Sequence, residues 1–162
     1  MDVAKLLILR VKSYSQKPAV IFNDKVINFR QLRNSSLQLA NSLSRLGVKK
    51  GERVAIYLPN SPEYIYSYLA IWCCAATAVP LDFMLTEDEL VSCLRHSGAR
   101  ILISKTKPAL SLFGLKEKCP ALKEIILSDS KSEPFLSFEE LISREAAEFQ
   151  SRDVPDKDYA CI

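Results

Sequence analysis

His96 is the chain's only histidine, and so the first side chain to weigh for proton transfer near neutral pH. A general base needs a nucleophile or carboxylate fixed beside it, and a metal ligand needs company. His96 has neither close in sequence. It falls two residues before Gly98, in the last turn of a predicted helix, where positive charge is favoured. A cap or surface role is expected. Cys161 could be read as a nucleophile, but no histidine stands near it in sequence to take its proton. The pairs Glu87/Asp88 and Glu139/Glu140 offer carboxylates for acid–base work, yet each opens a predicted helix and so stabilises the positive end of its dipole. Tyr64, Tyr66, Tyr68 and Trp72 could line an acyl pocket. In a buried helix such rings more often form core, and core is the expectation.

Phosphate recognition asks for a nest of backbone N–H groups, usually written in glycine. Gly47, Gly51, Gly98 and Gly114 lie apart, so the chain has neither a dinucleotide fingerprint nor a Walker-type loop. Five cysteines (Cys73, Cys74, Cys93, Cys119 and Cys161) lack the Cys-x-x-Cys spacing of zinc and redox sites. Cys73 and Cys74 fall in an apolar run and are expected to pack as small hydrophobes. The net charge of +3 comes from 22 basic and 19 acidic residues, and the basic ones are scattered. That pattern argues against nucleic acid as a partner. Met1-Asp-Val-Ala-Lys5 lacks the basic n-region of a signal peptide, and a reducing, cytoplasmic setting is expected. These patterns assign no catalytic, cofactor-binding or metal-binding residue.

The elements that would position such groups alternate along the chain. With 162 residues, 48% of them hydrophobic and 25% charged, the chain reads as one ordinary globular domain. Ala19–Phe22 and Val26–Phe29 form a predicted hairpin around Asn23-Asp-Lys25. Asn28 caps the following helix, with Gln31 placed to complete a capping box. Phe29, Leu32, Ser36, Leu39, Leu43 and Leu46 make its largely apolar stripe, and Gly47 ends it. Strands are predicted at Arg53–Leu58, Ala78–Leu81, Arg100–Ser104 and Glu124–Ser128. Helices are predicted from Pro62 to about Ala76, from Glu87 to Gly98, over Pro108–Lys118, and from Phe138 to about Phe149. Thr86 with Glu89, and Ser137 with Glu140, read as capping boxes. Strand–helix alternation of this kind predicts an α/β fold: a mostly parallel, doubly wound sheet with flanking helices, preceded by the hairpin. Ligands then belong at the carboxyl ends of the strands, on the loops Pro59–Pro62, Asp82–Leu85 and Ser104–Lys107.

One apolar stretch, Tyr64–Leu85, is long enough to raise a membrane-anchored reading. Pro80 would interrupt a spanning helix, Ala75–Leu81 suits a strand, and neither flank carries a basic bias. A buried helix feeding a buried strand is expected instead. Ser151–Asp158 reads as a polar connector, and Tyr159–Ile162 as the start of a further strand.

Five phrases, in order, resemble the N-terminal region of the adenylate-forming, AMP-binding acid–thiol ligases, the acyl-CoA synthetase superfamily. They are Phe29-Arg-Gln-Leu32, Gly47-Val-Lys-Lys-Gly-Glu-Arg-Val-Ala-Ile56, Leu58-Pro-Asn-Ser-Pro-Glu63, Val79-Pro-Leu81 and Ser97-Gly-Ala-Arg-Ile-Leu-Ile103. The likeness runs from Pro18 to Ile162 and is most like a long-chain fatty-acid–CoA ligase. Two departures stand out. Ala75-Ala-Thr-Ala78 replaces the family's Gly-Ala before Val-Pro, and Asp82-Phe83 replaces its Asn-Pro after Pro-Leu.

The resemblance implies a parent enzyme that adenylates a fatty acid and passes the acyl group to CoA, using ATP, Mg and CoA. Asp158-Tyr-Ala-Cys-Ile162 resembles the approach to the family's phosphate-binding loop. Residues 1–162 are therefore expected to be the N-terminal part of the large AMP-binding domain, truncated before that loop. The resemblance carries no catalytic, cofactor-binding or metal-binding residue onto this chain, which alone is expected to be inactive and to bind none of these cofactors tightly. The expected substrates, a fatty or other carboxylic acid, ATP and CoA, would meet the parent through downstream residues, with peripheral membrane contact open and no transmembrane span. Alternatives are a standalone, non-catalytic α/β interaction module, or a fragment of an aryl-CoA ligase or of a carrier-protein-loading adenylation domain.

Overall fold

Continuously apolar runs such as Val54–Tyr57 and Ile101–Ile103 leave no face for water, so the strands that carry them need cover on both sides. The computed structural model, which describes residues 6, 11, 13–150 and 158–162, supplies that cover. Strands β3 (Arg53–Tyr57), β4 (Thr77–Pro80), β5 (Ile101–Ser104), β6 (Glu124–Leu127) and β7 (Leu136–Ser137) form one parallel sheet in the order β4-β3-β5-β6-β7. On one face lie α1 (Phe29–Arg45), α2 (Pro62–Cys73) and α5 (Phe138–Ser143); on the other lie α3 (Glu87–Ser97) and α4 (Leu112–Lys118). The register sets Ile56, Ile103 and Ile126 side by side toward the first face, and Ala55, Leu102 and Ile125 toward the second. The expected doubly wound architecture is thus observed.

The hairpin β1 (Pro18–Phe22) and β2 (Lys25–Asn28) pairs antiparallel around Asn23, whose φ of 51° is a conformation asparagine tolerates well. Asn28 and Gln31 form the predicted capping box. At the other end of α1, Val48 N–H reaches Leu43 O and Gly47 N–H reaches Ser44 O, with Gly47 at φ 82°. This is the Schellman arrangement. The apolar stripe of α1 is wider than predicted: Leu37 and Ala40 are buried too, because α2 and α5 both lie against it.

Several boundaries differ from the sequence expectation, each for a local reason. Helix α2 ends at Cys73 rather than near Ala76, because Ala75 takes a left-handed φ of 54° and its N–H bonds Trp72 O. Helix α4 starts at Leu112 rather than Pro108: Leu110 N–H closes a turn on Lys107 O, and Ser111 becomes the N-cap. Helix α5 stops at Ser143 rather than Phe149. The carbonyls of Glu145, Ala146 and Glu148 instead accept from the amides of Gln38 and Asn41 on α1. Ser137 does cap Glu140 N–H, but Glu140 turns its carboxylate to Lys131 and Arg144, so the second capping box is half-formed. The two-residue β7 gave no sequence signal.

Among the described residues no helix is long and apolar enough to cross a membrane, and Tyr64–Leu85 divides into α2, β4 and a loop. The connector expected at 151–158 lies, apart from Asp158, outside the described residues. Beyond it, Cys161 bridges Ala78 in parallel: Ala78 N–H bonds Ala160 O at 3.0 Å, and Ile162 N–H bonds Ala78 O at 3.1 Å. The predicted further strand therefore begins on the free edge of β4.

Gly98 closes α3 with φ 61°, and a Cβ there would stand 2.9 Å from Arg53 Nη2. Gly98→Ala is expected to cost about 1 kcal/mol through left-handed strain, with Arg53 displaced from its bonds to Ser97 O and Gly98 O. Urea unfolding would measure the loss.

Acidic groups at the helix starts set the acid limb of stability. Lys118 and the Ser111 N–H hold the Glu87 carboxyl below its ordinary 4.5; the Thr86 backbone and hydroxyl do so for Glu89, and Lys131 for Glu140. Depressed carboxylates stabilise the fold above their unfolded pKa and cease to do so as pH falls through the lower folded value. Glu87→Gln should therefore lower Tm at pH 7, with the deficit shrinking as pH falls below the ordinary carboxylate range and through the lowered folded-state value. A Tm series against pH checks this.

Candidate functional site

A parallel sheet whose order reverses opens a crevice where the neighbouring loops diverge. Here β3 leads to β4 on one side and β5 lies on the other, so the reversal falls between β3 and β5. At their carboxyl ends is an open cleft of about 520 Å³, lined by Lys25, Asn60, Ser61, Glu63, Lys105 and Asp129 among others. The loops Pro59–Pro62 and Ser104–Lys107, singled out from sequence, both reach it through Pro59–Pro62 and Lys105. The hairpin tip, Phe22–Lys25, supplies a wall that sequence reasoning missed. No local signal announces it, since the hairpin meets the sheet only through tertiary packing.

Each lining loop is fixed by its own polar bonds. Ser61 Oγ accepts from Tyr64 N–H at 3.3 Å, and Pro62 occupies the first turn of α2. Asp129, after β6, accepts from the backbone N–H and the hydroxyl of Thr106, joining the β5 and β6 loops. Ammonium groups from Lys25 and Lys105 face carboxylates from Asp24, Glu63 and Asp129, giving a polar cleft of mixed charge.

The third predicted loop, Asp82–Leu85, sits outside this cleft and is held by a lysine. Lys107 Nζ donates to Tyr57 Oη at 3.0 Å, Phe83 O at 2.9 Å and Leu85 O at 3.1 Å, which uses all three ammonium protons. Tyr57 Oη in turn donates to Leu85 O at 2.7 Å, and the Tyr57 and Phe83 rings lie 5.0 Å apart. Asp82 Oδ1 accepts from Met84 N–H at 2.8 Å, which shapes the turn. This clamp joins the ends of β3, β4 and β5. A usable sequence signal was Tyr57 itself, a hydroxyl ending an otherwise apolar strand and therefore in need of a partner.

The other residues weighed from sequence fall elsewhere. His96 is exposed on the last turn of α3, at the amino end of the sheet and away from the cleft. Cys161 is exposed, whereas Cys73, Cys74 and Cys119 are buried, and burial pushes the Cys119 thiol up. Glu87 bonds Ser111 N–H and pairs with Lys118, so it joins α3 to α4 besides serving the dipole. Glu140 joins Lys131 and Arg144. Of the four aromatic residues on α2 only Tyr66 is buried. Tyr64, Tyr68 and Trp72 form a half-buried ladder with centroid spacings of 5.4 and 5.1 Å. Burial and the neighbouring Tyr64 push the Tyr68 phenol up to about 12. The expected core placement holds in full for Tyr66, while the other three pack against the core from one edge of the helix, which turns toward residues 158–162, where Trp72 Nε1 donates to Ala160 O at 2.9 Å.

Among the described residues no group of three His, Cys, Asp or Glu side chains gathers to hold a metal. The three loops contain no glycine. Without a glycine nest these loops do not offer the row of backbone N–H donors that usually cradles nucleotide phosphates.

The sequence model of the AMP-binding enzyme family matches residues 9–162. The chain is 38% identical over 98 residues to a 2-succinylbenzoate–CoA ligase of Bacillus velezensis, covering 60% of this chain and 20% of that protein. Its fold matches an anthranilate–CoA ligase solved in complex with anthranoyl-AMP: TM-score 0.90 and 26% identity, over 98% of this chain and 31% of that one. It also matches a long-chain-fatty-acid–CoA ligase from Archaeoglobus fulgidus: TM-score 0.86 and 26% identity, over 99% of this chain and 34% of that one. The chain thus spans a fifth of the curated relative and about a third of each solved chain.

Proposed function

Because the chain belongs to the AMP-binding enzyme family, we propose that it forms the N-terminal scaffold of an ATP-dependent acid–CoA ligase, acting on a fatty acid. The observation that carries this is the family match over residues 9–162 together with the overlap of nearly all of this chain on about a third of each of two CoA ligases of known structure. In this reading the chain supplies a rigid parallel sheet. Its carboxyl-end loops, fixed by Lys107 and Asp129, form a wall against which the rest of the enzyme is assembled. ATP, Mg and CoA are held by residues other than those described here, and the setting is cytoplasmic.

An aromatic acid is the second reading. It is favoured by the relatives, since the curated protein acts on 2-succinylbenzoate and the solved one on anthranilate. The Archaeoglobus fulgidus likeness supports the fatty acid.

Adenylation concentrates negative charge on the transferring phosphoryl group, which must be met by metal and aligned donors. The 162 residues alone are therefore expected to give no ATP–pyrophosphate exchange with any acid. Exchange above the no-enzyme rate would overturn that. Expression with the polypeptide encoded downstream of codon 162, assayed against fatty and aromatic acids, tests the rest. Exchange with long-chain acids supports the first reading, exchange only with aromatic acids the second, and none with either overturns both.

A further inference from the structure

The hairpin is apolar on both of its faces, although only one of them is packed. Its inner pair, Val20 and Ile27, stands cross-strand and lies on the core shared with α1. Its outer pair, Ile21 and Val26, also stands cross-strand, and these two side chains are 72% and 57% exposed. A hairpin with one face in water alternates apolar with polar residues, whereas strands covered on both faces read as apolar runs. Ala19-Val-Ile-Phe22 is such a run, and Val26-Ile27 answers it on the second strand. Two β-branched side chains set directly opposite one another suit a packed sheet face. The pattern belongs to a hairpin with a second cover, and no described residue supplies one.

Three placements say where that cover comes from. The hairpin tip, Phe22–Lys25, walls the cleft at the carboxyl end of the sheet. Cys161 bridges Ala78 in parallel, so polypeptide continuing from Ile162 runs with β4 toward that same end. Met84, on the loop after β4, is 79% exposed there as well, while the loops at the amino end present the charges of Lys49 and Lys123. This chain covers about a third of each solved ligase, so a larger protein of that kind has about twice as much polypeptide left to place. Asp24 and Lys25 stand exposed beside the outer pair, giving an apolar centre with a charged border, as docking surfaces have.

We infer that the outer face of the hairpin is an intramolecular docking face, in which Ile21 and Val26 are covered by an apolar segment of the polypeptide that follows Ile162. The inference rests on the reading of this chain as the N-terminal part of a larger ligase. It gives the hairpin a role in that protein. A two-stranded ribbon is marginal by itself, and cover on its second face fixes the tip that walls the cleft.

The test is carbene footprinting, which labels accessible aliphatic side chains, applied to the 162-residue chain and to the whole polypeptide encoded by its reading frame. Ile21 and Val26 should label in the short chain and lose label several-fold in the long one. Val26→Lys, at an exposed position, should leave the Tm of the short chain unchanged and lower that of the long one. Equal labelling in both chains, or a Tm indifferent to Val26→Lys in the long chain, would overturn the docking face. Label that falls as the short chain alone is concentrated means that a second copy is the occupant, which overturns it too. ATP–pyrophosphate exchange by the long chain is scored separately. Protection without exchange supports the docking face and sinks the ligase reading; exchange without protection does the reverse. A reading frame that stops at codon 162 sinks both.

Discussion

Ile103→Ala is expected to remove about 3 kcal/mol of stability, enough to leave a substantial unfolded fraction in a domain of ordinary stability. Ile103 sits at the centre of β5, wholly buried, with Ile56 of β3 and Ile126 of β6 in register on either side. All three project into the core shared with α1 and α2. Truncation loses the transfer free energy of the removed carbons and leaves a cavity that the flanking strands cannot close without breaking the ladder. The same change at Val26, exposed on the hairpin, should cost only a few tenths of a kcal/mol. Urea melts of the two variants, read as midpoint shifts at constant slope, make the comparison. Equal losses would mean that the sheet is not where the stability resides.

Lys107→Met should cost about 2 kcal/mol, since a charged donor serving three acceptors is worth more than a neutral one. The loss is expected to be coupled to Tyr57. Tyr57→Phe alone removes the donor to Leu85 O and the acceptor for Lys107, and should cost about 1 kcal/mol. Because the two side chains share Leu85 O, the double variant should cost less than the sum, by about 0.5 kcal/mol or more. Strict additivity in a double-mutant cycle would mean that the clamp is only a set of separate contacts. A drop in the urea slope for Lys107→Met would show instead that the Asp82–Leu85 loop comes loose before the sheet unfolds.

What the sequence made legible was whatever a short segment decides for itself. Asn28 with Gln31, Thr86 with Glu89, and the glycines at 47 and 98 act within one helical turn, and all sit where expected. The apolar continuity of Val54–Tyr57 and Ile101–Ile103 was sufficient for a parallel sheet covered on both faces. What distant residues decide was not legible. The early end of α5 depends on Gln38 and Asn41, more than a hundred positions away. The end of α2 depends on Ala75 adopting a conformation usually left to glycine, so the usual stop signal was missing.

The candidate site divides in the same way. Two of the three loops marked by the carboxyl-end rule do line the cleft, because that rule follows from topology alone. The hairpin wall, the Lys107 clamp and the Asp129–Thr106 link needed three-dimensional packing to appear. The acidic pairs Glu87/Asp88 and Glu139/Glu140 read as helix-start charges, and Glu87 and Glu140 proved in addition to be tertiary ties.

Trp72 is the only tryptophan in the chain, and its indole N–H holds the carbonyl of Ala160 while its ring packs at a tilt against Tyr68. The seam between α2 and the last residues is therefore wired to an intrinsic fluorophore. Departure of residues 158–162 from the β4 edge would leave the indole to water, shifting its emission to longer wavelength, while energy transfer from Tyr68 would persist as long as α2 stayed folded. One unlabelled emission spectrum thus distinguishes peeling of an edge from melting of a helix.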